Sequence, residues 1–294
     1  MRFTKMHGLG NDFVLIDAVA EPALATRSDW PEFAIRLCDR RFGIGADGVL
    51  LLSASAQAPA QLCMRIFNAD GSEAEMCGNG LRCVGKYALE NSLVPRASAH
   101  ALRVGVMGRV LTLDCALDHA GIVSSVRVDM GAPVTDLSAL PVDPRHLSTP
   151  PAHDLSGDLK QVSALLREAC FIAIPNPHAV MFVSDVAGVP VERLGPMIET
   201  HRVFPQRINA QFVQALSRRE ARMRTWERGA GQTFACGTGA AAVCVAGVMR
   251  GLLDRQVLIH LPGGDLNLEW RESDSHILMT GPAVEVFAGT WKVP

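Results

Sequence analysis

Short apolar runs with strand spacing dominate the chain. "FVLID" (13–17), "VLLL" (49–52) and "LCMRIF" (62–67) come first, rich in Val, Ile, Leu and Phe. "LRVGV", "VLTLDC" and "SSVRVDM" follow at short intervals, as in an antiparallel meander. The spacing predicts a helix over about residues 30–41. Ser28 or Asp29 is its expected cap, Pro31 suits its first turn, and Gly43 is its expected end. The second half has the same texture. "CFIAI", "AVMFVSD", "INAQFVQAL" and "ARMRTW" read as strands, and "VERLGPMIETH" reads as a helix despite Gly195 and Pro196 within it. Residues 256–294 hold three or four further strands, broken at "LPGGD", "RESDS" and "TGPA". Residues 147–168 are Pro-, Ser- and charge-rich and then helix-like, and are expected to be a surface insertion.

Two more helices have an unusual beginning. Cys77 stands before Gly78-Asn79-Gly80 and the run "LRCVGKYALE", which places Leu81, Val84, Ala88 and Leu89 on one helical face. Cys236 stands before Gly237-Thr238-Gly239 and "AAAVCVAGVM", which is apolar on nearly all sides. A helix apolar all round is a buried one.

The stretches "NADGSEAEMCGNGLRC" and "ERGAGQTFACGTGAAA" superpose at a constant offset of 159 residues. Arg65 then matches Arg224, Phe67 matches Trp226, and Cys77 matches Cys236. Fainter echoes pair Asn11 with Asn176 and Gly48 with Asn209. The order in both halves is Asn motif, helix, strand, strand, cysteine turn, helix, which is the duplication of a whole domain. The expected fold is α+β: two similar domains of mixed and antiparallel strands, with the active site in the cleft between them. The expected boundaries are 1–124 plus 283–294 for the first domain and 125–282 for the second.

Composition removes several classes. Net charge is −2 over 294 residues, and no basic block points to nucleic acid. No apolar run is long enough for a membrane span, and the first residues lack a signal-peptide core. A cytoplasmic protein is expected. Eight cysteines show neither Cys-x-x-Cys nor zinc spacing, so no metal is expected, and a reducing compartment argues against a disulfide framework. "GIGADG" (43–48) matches Gly-x-Gly-x-x-Gly but follows a helix and precedes a strand, the reverse of a dinucleotide site. Lys5 and Lys86 lie nearest the motifs and read as solvated side chains, not as cofactor lysines.

The chemistry rests on the two cysteines. At a helix N-terminus, unpaired backbone N–H groups can hold a carboxylate, and the local positive potential favours thiolate. Two such ends facing one substrate put a sulfur on each face of the carbon that bears the carboxylate. One thiolate removes the α-proton and the opposite thiol returns one, which inverts the centre. Inversion needs the same group on both faces, and this accounts for the duplication. Incidental cysteines, or a Cys–His hydrolase using His178, leave the matched pair unexplained; a Cys77–Cys236 redox pair is the alternative the same geometry permits, although thioredoxin-like proteins use adjacent cysteines.

These residues resemble the diaminopimelate epimerase family. "MHGLGNDF", "FNADGSEAEMCGNGLRC", "NPHAV", "ERGAGQTFACGTGAAA" and "LPGGDL" carry the resemblance. Proline racemases and phenazine-biosynthesis isomerases are similar in fold, but such racemases usually have His where this chain has Asn79. The resemblance implies strands wrapped around a central helix in each domain, a homodimer, and no cofactor. It implies epimerisation of LL- to meso-2,6-diaminoheptanedioate in lysine and peptidoglycan-precursor synthesis. Cys77 and Cys236 are then the acid/base pair, with His178 and Glu227 as supporting groups. Gly78, Asn79, Gly237 and Thr238 would bind the carboxylate at the reacting centre. Asn11, Asn68, Asn176, Asn209 and Arg228 would hold the distal end, where amides and a guanidinium give directional and bidentate contacts. Some relatives carry Gln in place of Gly48.

Overall fold

A computed structural model describes residues 1–74, 76–146 and 157–292. The chain divides into two compact units, residues 1–129 with 280–294, and residues 130–279.

Unit one begins with β1 (Arg2–Gly8), a strand absent from the pattern reading, and β2 (Asn11–Asp17). Helix α1 (Trp30–Cys38), β3 (Gly48–Ala54), β4 (Leu62–Asn68) and α2 (Gly78–Glu90) follow. Then come β5 (Leu102–Val106), β6 (Arg109–Leu117) and β7 (Val123–Asp129). Unit two carries α3 (Asp158–Arg167), β8 (Cys170–Ile174), β9 (Asn176–Phe182) and α4 (Val191–Glu199). It continues with β10 (Asn209–Ser217), β11 (Glu220–Glu227), the short β12 (Gly231–Thr233) and α5 (Gly237–Met249). Strands β13 (Gln256–Leu261), β14 (Gly264–Trp270) and β15 (Ile277–Gly281) end it. The last strand, β16 (Val284–Thr290), returns to unit one and pairs antiparallel with β1.

Strand pairing makes the duplication explicit. In unit one the successive pairs β1/β2, β2/β3, β3/β4, β4/β5 and β5/β6 run antiparallel, parallel, antiparallel, parallel, antiparallel. In unit two the pairs β8/β9, β9/β10, β10/β11, β11/β13 and β13/β14 repeat that sequence. The fold is the expected α+β duplication. Register confirms the faint echoes too: β2/β3 begins Phe13↔Gly48 and β9/β10 begins His178↔Asn209. His178 thus occupies in the second unit the place that Phe13 takes in the first.

Each unit has a helix on both sides of its strands. Helix α2 packs on β1, β3, β6 and β7, and α5 packs on β8, β9, β10, β13 and β14. Helix α1 covers the other face through a core of Trp30, Phe33 and Leu37 against Val14, Ile16, Val49, Leu51 and Phe67. Strands covered on both faces lose polar alternation, which is why "VLLL" reads as a continuous apolar run. Helix α4 does the same in unit two, with Leu194 and Ile198 packed among Ala210 and Phe212. There Gly195 is dictated by contact: a Cβ on it would lie 2.5 Å from the ring of Trp226.

Two local expectations are corrected. Helix α1 stops at Cys38, because the Asp39 carboxylate accepts the N–H groups of Arg41 (2.7 Å) and Phe42 (2.8 Å) and turns the chain aside. Asp29 occupies the cap position, but its carboxylate holds Arg27 in a bidentate pair at 2.8 and 2.6 Å and makes no cap bond. Of the expected surface insertion, residues 147–156 lie outside the described residues. Helix α3, its remainder, buries Val162 and Leu166 in the core of unit two, so that part is not a surface appendage. No helix among the described residues is long and apolar enough to cross a membrane.

Candidate active site

Cys77 is the N-cap residue of α2, half-buried and extended at φ −145° and ψ 105°. Its sulfur accepts the N–H of Gly80 at 3.3 Å, the bond a Ser or Asp side chain makes at this position. Asn11, the first residue of β2, turns its Oδ1 toward the same place. That oxygen stands 3.8 Å from Cys77 Sγ and accepts Asn79 Nδ2 at 3.0 Å. The structure thus brings Asn11, Cys77, Gly78 and Asn79 together at the start of α2. Asn68 ends β4, where its amide binds Ser72 Oγ at 2.9 Å.

Asn11 is held from behind. Its Nδ2 donates to Asp47 Oδ2 at 2.9 Å. Arg40 bridges Asp47 Oδ1 (2.7 Å) and Asp12 Oδ1 (2.8 Å), and Lys5 Nζ reaches Asp12 Oδ2 at 2.6 Å. Burial works against the Asp12 charge, but hydrogen bonds from Arg40 and Lys5 outweigh it and hold the carboxyl well below the usual carboxylate range. Lys5 is therefore buried and paired, with Gly45 O as a second acceptor, and is not solvated as its sequence context suggested. Lys86 is corrected likewise: it is buried and binds Glu90 (2.7 Å) and Val123 O (3.1 Å). A long apolar stem lets lysine lie along a core while its ammonium finds oxygen partners.

Gly48 begins β3 beside this cluster, opposite Asn68 in register. A Cβ there would meet Phe67 O at 2.8 Å. The position is closed by backbone, which accounts for glycine in this chain.

Cys236 is the N-cap residue of α5 and is buried, with the Thr238 hydroxyl 3.7 Å from its sulfur. Burial pushes its thiol well above the ordinary range, and the negative charge of Glu227 pushes the same way. Thr238 and the Gly239 N–H oppose them. Glu227 ends β11, and its Oε1 accepts Thr233 Oγ1 from β12 at 2.5 Å. The hairpin β11/β12 therefore aims a carboxylate at Cys236.

His178 is fully buried and its acidity is pushed to about 3, first by burial and then by the nearby positive charge of Arg228. With Gln211 Nε2 donating to Nδ1 at 3.1 Å, Nε2–H donates to Asn176 Oδ1 at 3.1 Å. This is one neutral tautomer, and it orients the Asn176 amide. Asn209 spends both ends of its own amide: Nδ2 donates to Pro177 O at 2.9 Å, and Oδ1 accepts Arg228 N at 2.9 Å. The Arg228 guanidinium reaches Gln206 O at 3.2 Å. Asn176, His178, Asn209 and Arg228 thus form one set at the ends of β9, β10 and β11.

Sequence reading missed Asp12, Arg40, Asp47 and Gln211. The carboxylates adjoin "GND" and "GAD", but neither motif says that the two are bridged by Arg40. Gln211 lies two residues after Asn209 in the buried first half of β10, and a polar residue among Ala210, Phe212 and Val213 is the one available signal. No group of three or more His, Cys, Asp or Glu among the described residues could hold a metal ion.

Chemically, each unit offers a sulfur beside the first N–H groups of a helix, ready to exchange a proton next to a bound anion. Solved structures share the fold. A phenazine biosynthesis protein of the PhzF family from Bacillus anthracis superposes with TM-score 0.71 at 14% identity, covering 100% of this chain and 99% of its own. A probable proline racemase from Agrobacterium radiobacter K84 superposes with TM-score 0.69 at 14% identity, covering 100% and 93%. These define the fold class, a duplicated α+β fold shared by phenazine-biosynthesis and proline-racemase proteins. The family is narrower. The profile for diaminopimelate epimerase matches residues 3–135 and 170–286, and the chain belongs to that family. The diaminopimelate epimerases of Moorella thermoacetica and Pelotomaculum thermopropionicum are 48% and 47% identical to it, the first over 98% of each chain and the second over 99% of each.

Proposed function

We propose that the protein interconverts LL- and meso-2,6-diaminoheptanedioate by proton transfer at one α-carbon, using Cys77 and Cys236 as the acid/base pair. The observation that carries this reading is the occurrence of a cysteine N-cap at the matched position of both duplicated units. The near full-length similarity to diaminopimelate epimerases supports the substrate. The role then lies in lysine and peptidoglycan-precursor synthesis, in the cytoplasm, with a homodimer as the working form.

The thiolate of one cysteine takes the α-proton, forming S–H and leaving an electron pair on carbon delocalised into the carboxylate. The thiol of the other cysteine gives its proton to the opposite face and becomes thiolate. Net protonation is conserved and the centre is inverted; the two sulfurs have exchanged states. The reactive carboxylate gains charge in the transition state, and the N–H groups around Gly78, Asn79, Gly237 and Thr238 stabilise it there. Glu227 supports Cys236 by keeping it protonated until a base is needed. His178 contributes by orienting Asn176, and Asn68, Asn176, Asn209 and Arg228 read the distal end, with Asn11 beside Cys77.

The test is α-proton exchange in D₂O, followed by NMR with reduced protein and LL-diaminopimelate, with proline as a control substrate. Deuterium at one α-carbon as meso product forms, abolished or severely slowed by Cys77→Ala or Cys236→Ala, is the expected result. Turnover of proline instead, or full activity in either variant, overturns the assignment.

A further inference from the structure

The motif "GIGADG" has no role in the reaction proposed above, yet the side chain of its Asp47 binds three partners. Asp47 Oδ2 accepts Asn11 Nδ2 at 2.9 Å and Asp12 N at 3.1 Å, while Oδ1 accepts Arg40 at 2.7 Å. Its backbone is tied as well. The N–H donates to Asp12 O at 2.9 Å, and the C=O accepts Ala69 N at 3.2 Å, one residue past Asn68. One residue therefore fastens the turn that carries Asn11 and the turn that follows Asn68.

The consequence is directional. A primary amide presents a donor end and an acceptor end, and a carboxylate accepts only. With Asp47 holding Nδ2, the acceptor Oδ1 must face the other way, toward Asn79 Nδ2 and Cys77 Sγ. An oxygen facing the sulfur hydrogen-bonds a thiol and opposes a thiolate, whereas the Gly80 N–H does the reverse. We infer that Asp47 is a positioning residue of the proposed reaction: by fixing the Asn11 amide it sets both the acidity of Cys77 and the orientation of Asn79. Resting as it does on the reading of Cys77 as an acid/base group, the inference needs a readout independent of turnover. Arg82 and Cys83 on α2 also act on Cys77 electrostatically, and neither is changed in the variants used.

The experiment measures the pH dependence of Cys77 alkylation by iodoacetamide, by peptide mass spectrometry, alongside kcat/KM. Variants are Asp47→Ala, Asp47→Asn, Asn11→Ala and the Asp47→Ala/Asn11→Ala pair. Asp47→Ala releases Asn11 and removes a nearby negative charge, so the Cys77 profile shifts to lower pH and kcat/KM falls at least about tenfold. Asp47→Asn keeps an acceptor toward Asn11 and recovers most of the loss. In the Asn11→Ala background, Asp47→Ala changes kcat/KM by less than about twofold, because the route through Asn11 is already cut. If Asp47→Ala does not fold, Asn11→Ala must shift the alkylation profile and Asp47→Asn must shift it less. An unshifted profile in folded Asp47→Ala, or equal effects of Asp47→Ala in both backgrounds, overturns the inference. Should wild-type protein fail to epimerise diaminopimelate, the alkylation profiles still decide the role of Asp47.

Discussion

Cys77 is half-buried and its sulfur accepts the backbone N–H of Gly80 at 3.3 Å, whereas Cys236, its counterpart in the duplication, is buried beside Glu227 with its thiol pushed up. The duplicated device is therefore asymmetric at rest. Each sulfur has a backbone N–H that favours thiolate, from Gly80 and from Gly239, but Cys236 is buried beside the Glu227 carboxylate, which favours thiol, while Cys77 is half-buried.

This asymmetry fixes an order of reactivity. At pH 7.5 iodoacetamide should label Cys77 faster than Cys236, since the thiolate is the nucleophile and Cys236 is both buried and held toward thiol, whereas Cys77 is half-buried. Peptide mapping after timed quenching reads both sites. Equal rates would contradict the arrangement.

Glu227 holds Cys236 up by charge, so removing that charge lowers it. In Glu227→Gln the alkylation of Cys236 at pH 8 should rise several-fold, because burial then acts on the thiol without the added carboxylate charge. The basic limb of the activity profile should move to lower pH in step. An unchanged Cys236 rate would mean that the carboxylate does not act on this sulfur.

His178 links folding to acid. Its folded value is about 3 against an ordinary 6.5, so the unfolded chain takes up the proton first as pH falls. The associated stability is present above pH 6.5 and is lost as pH drops toward 3, at up to about 1.4 kcal/mol per pH unit. Urea midpoints between pH 7 and 4.5 should fall more steeply for wild type than for His178→Gln. NMR should show the ring neutral, with the proton on Nε2, at pH 5. A protonated ring at that pH would refute the buried tautomer.

Gly195 stands against Trp226, whose indole N–H donates to Glu199 Oε2 at 2.7 Å and cannot retreat without breaking that bond. Gly195→Ala should cost about 1–3 kcal/mol by overpacking, visible as a melting temperature lowered by several degrees. A gain in stability, as alanine gives in an open helix, would show that the ring yields freely.

The repeat was legible because its carriers are local. Apolar period, turn residues and the Cys-Gly-x-Gly spacing are properties of short stretches, and the constant offset ties the halves together without any knowledge of contacts. Hence Cys77 and Cys236 were found as helix caps, and the pairing of Gly48 with Asn209 agrees with strand register. Strand β1 was missed because "RFTKMHG" alternates weakly and includes Lys5, whose burial depends on Asp12 and Gly45 being brought to it.

The sequence by itself determined the duplication, the helix class of the cysteine segments and the two cysteines as a matched pair. Tertiary structure alone decided which partner each polar group meets. Asp47 reaches Asn11 across 36 residues, and Gln211 reaches His178 across 33. Charge state and amide direction follow from those partners, and partners distant in sequence leave no periodic trace. A buried hydrogen bond is chosen by what the packed strands place within about 3 Å of it, and that choice exists only once the chain has folded.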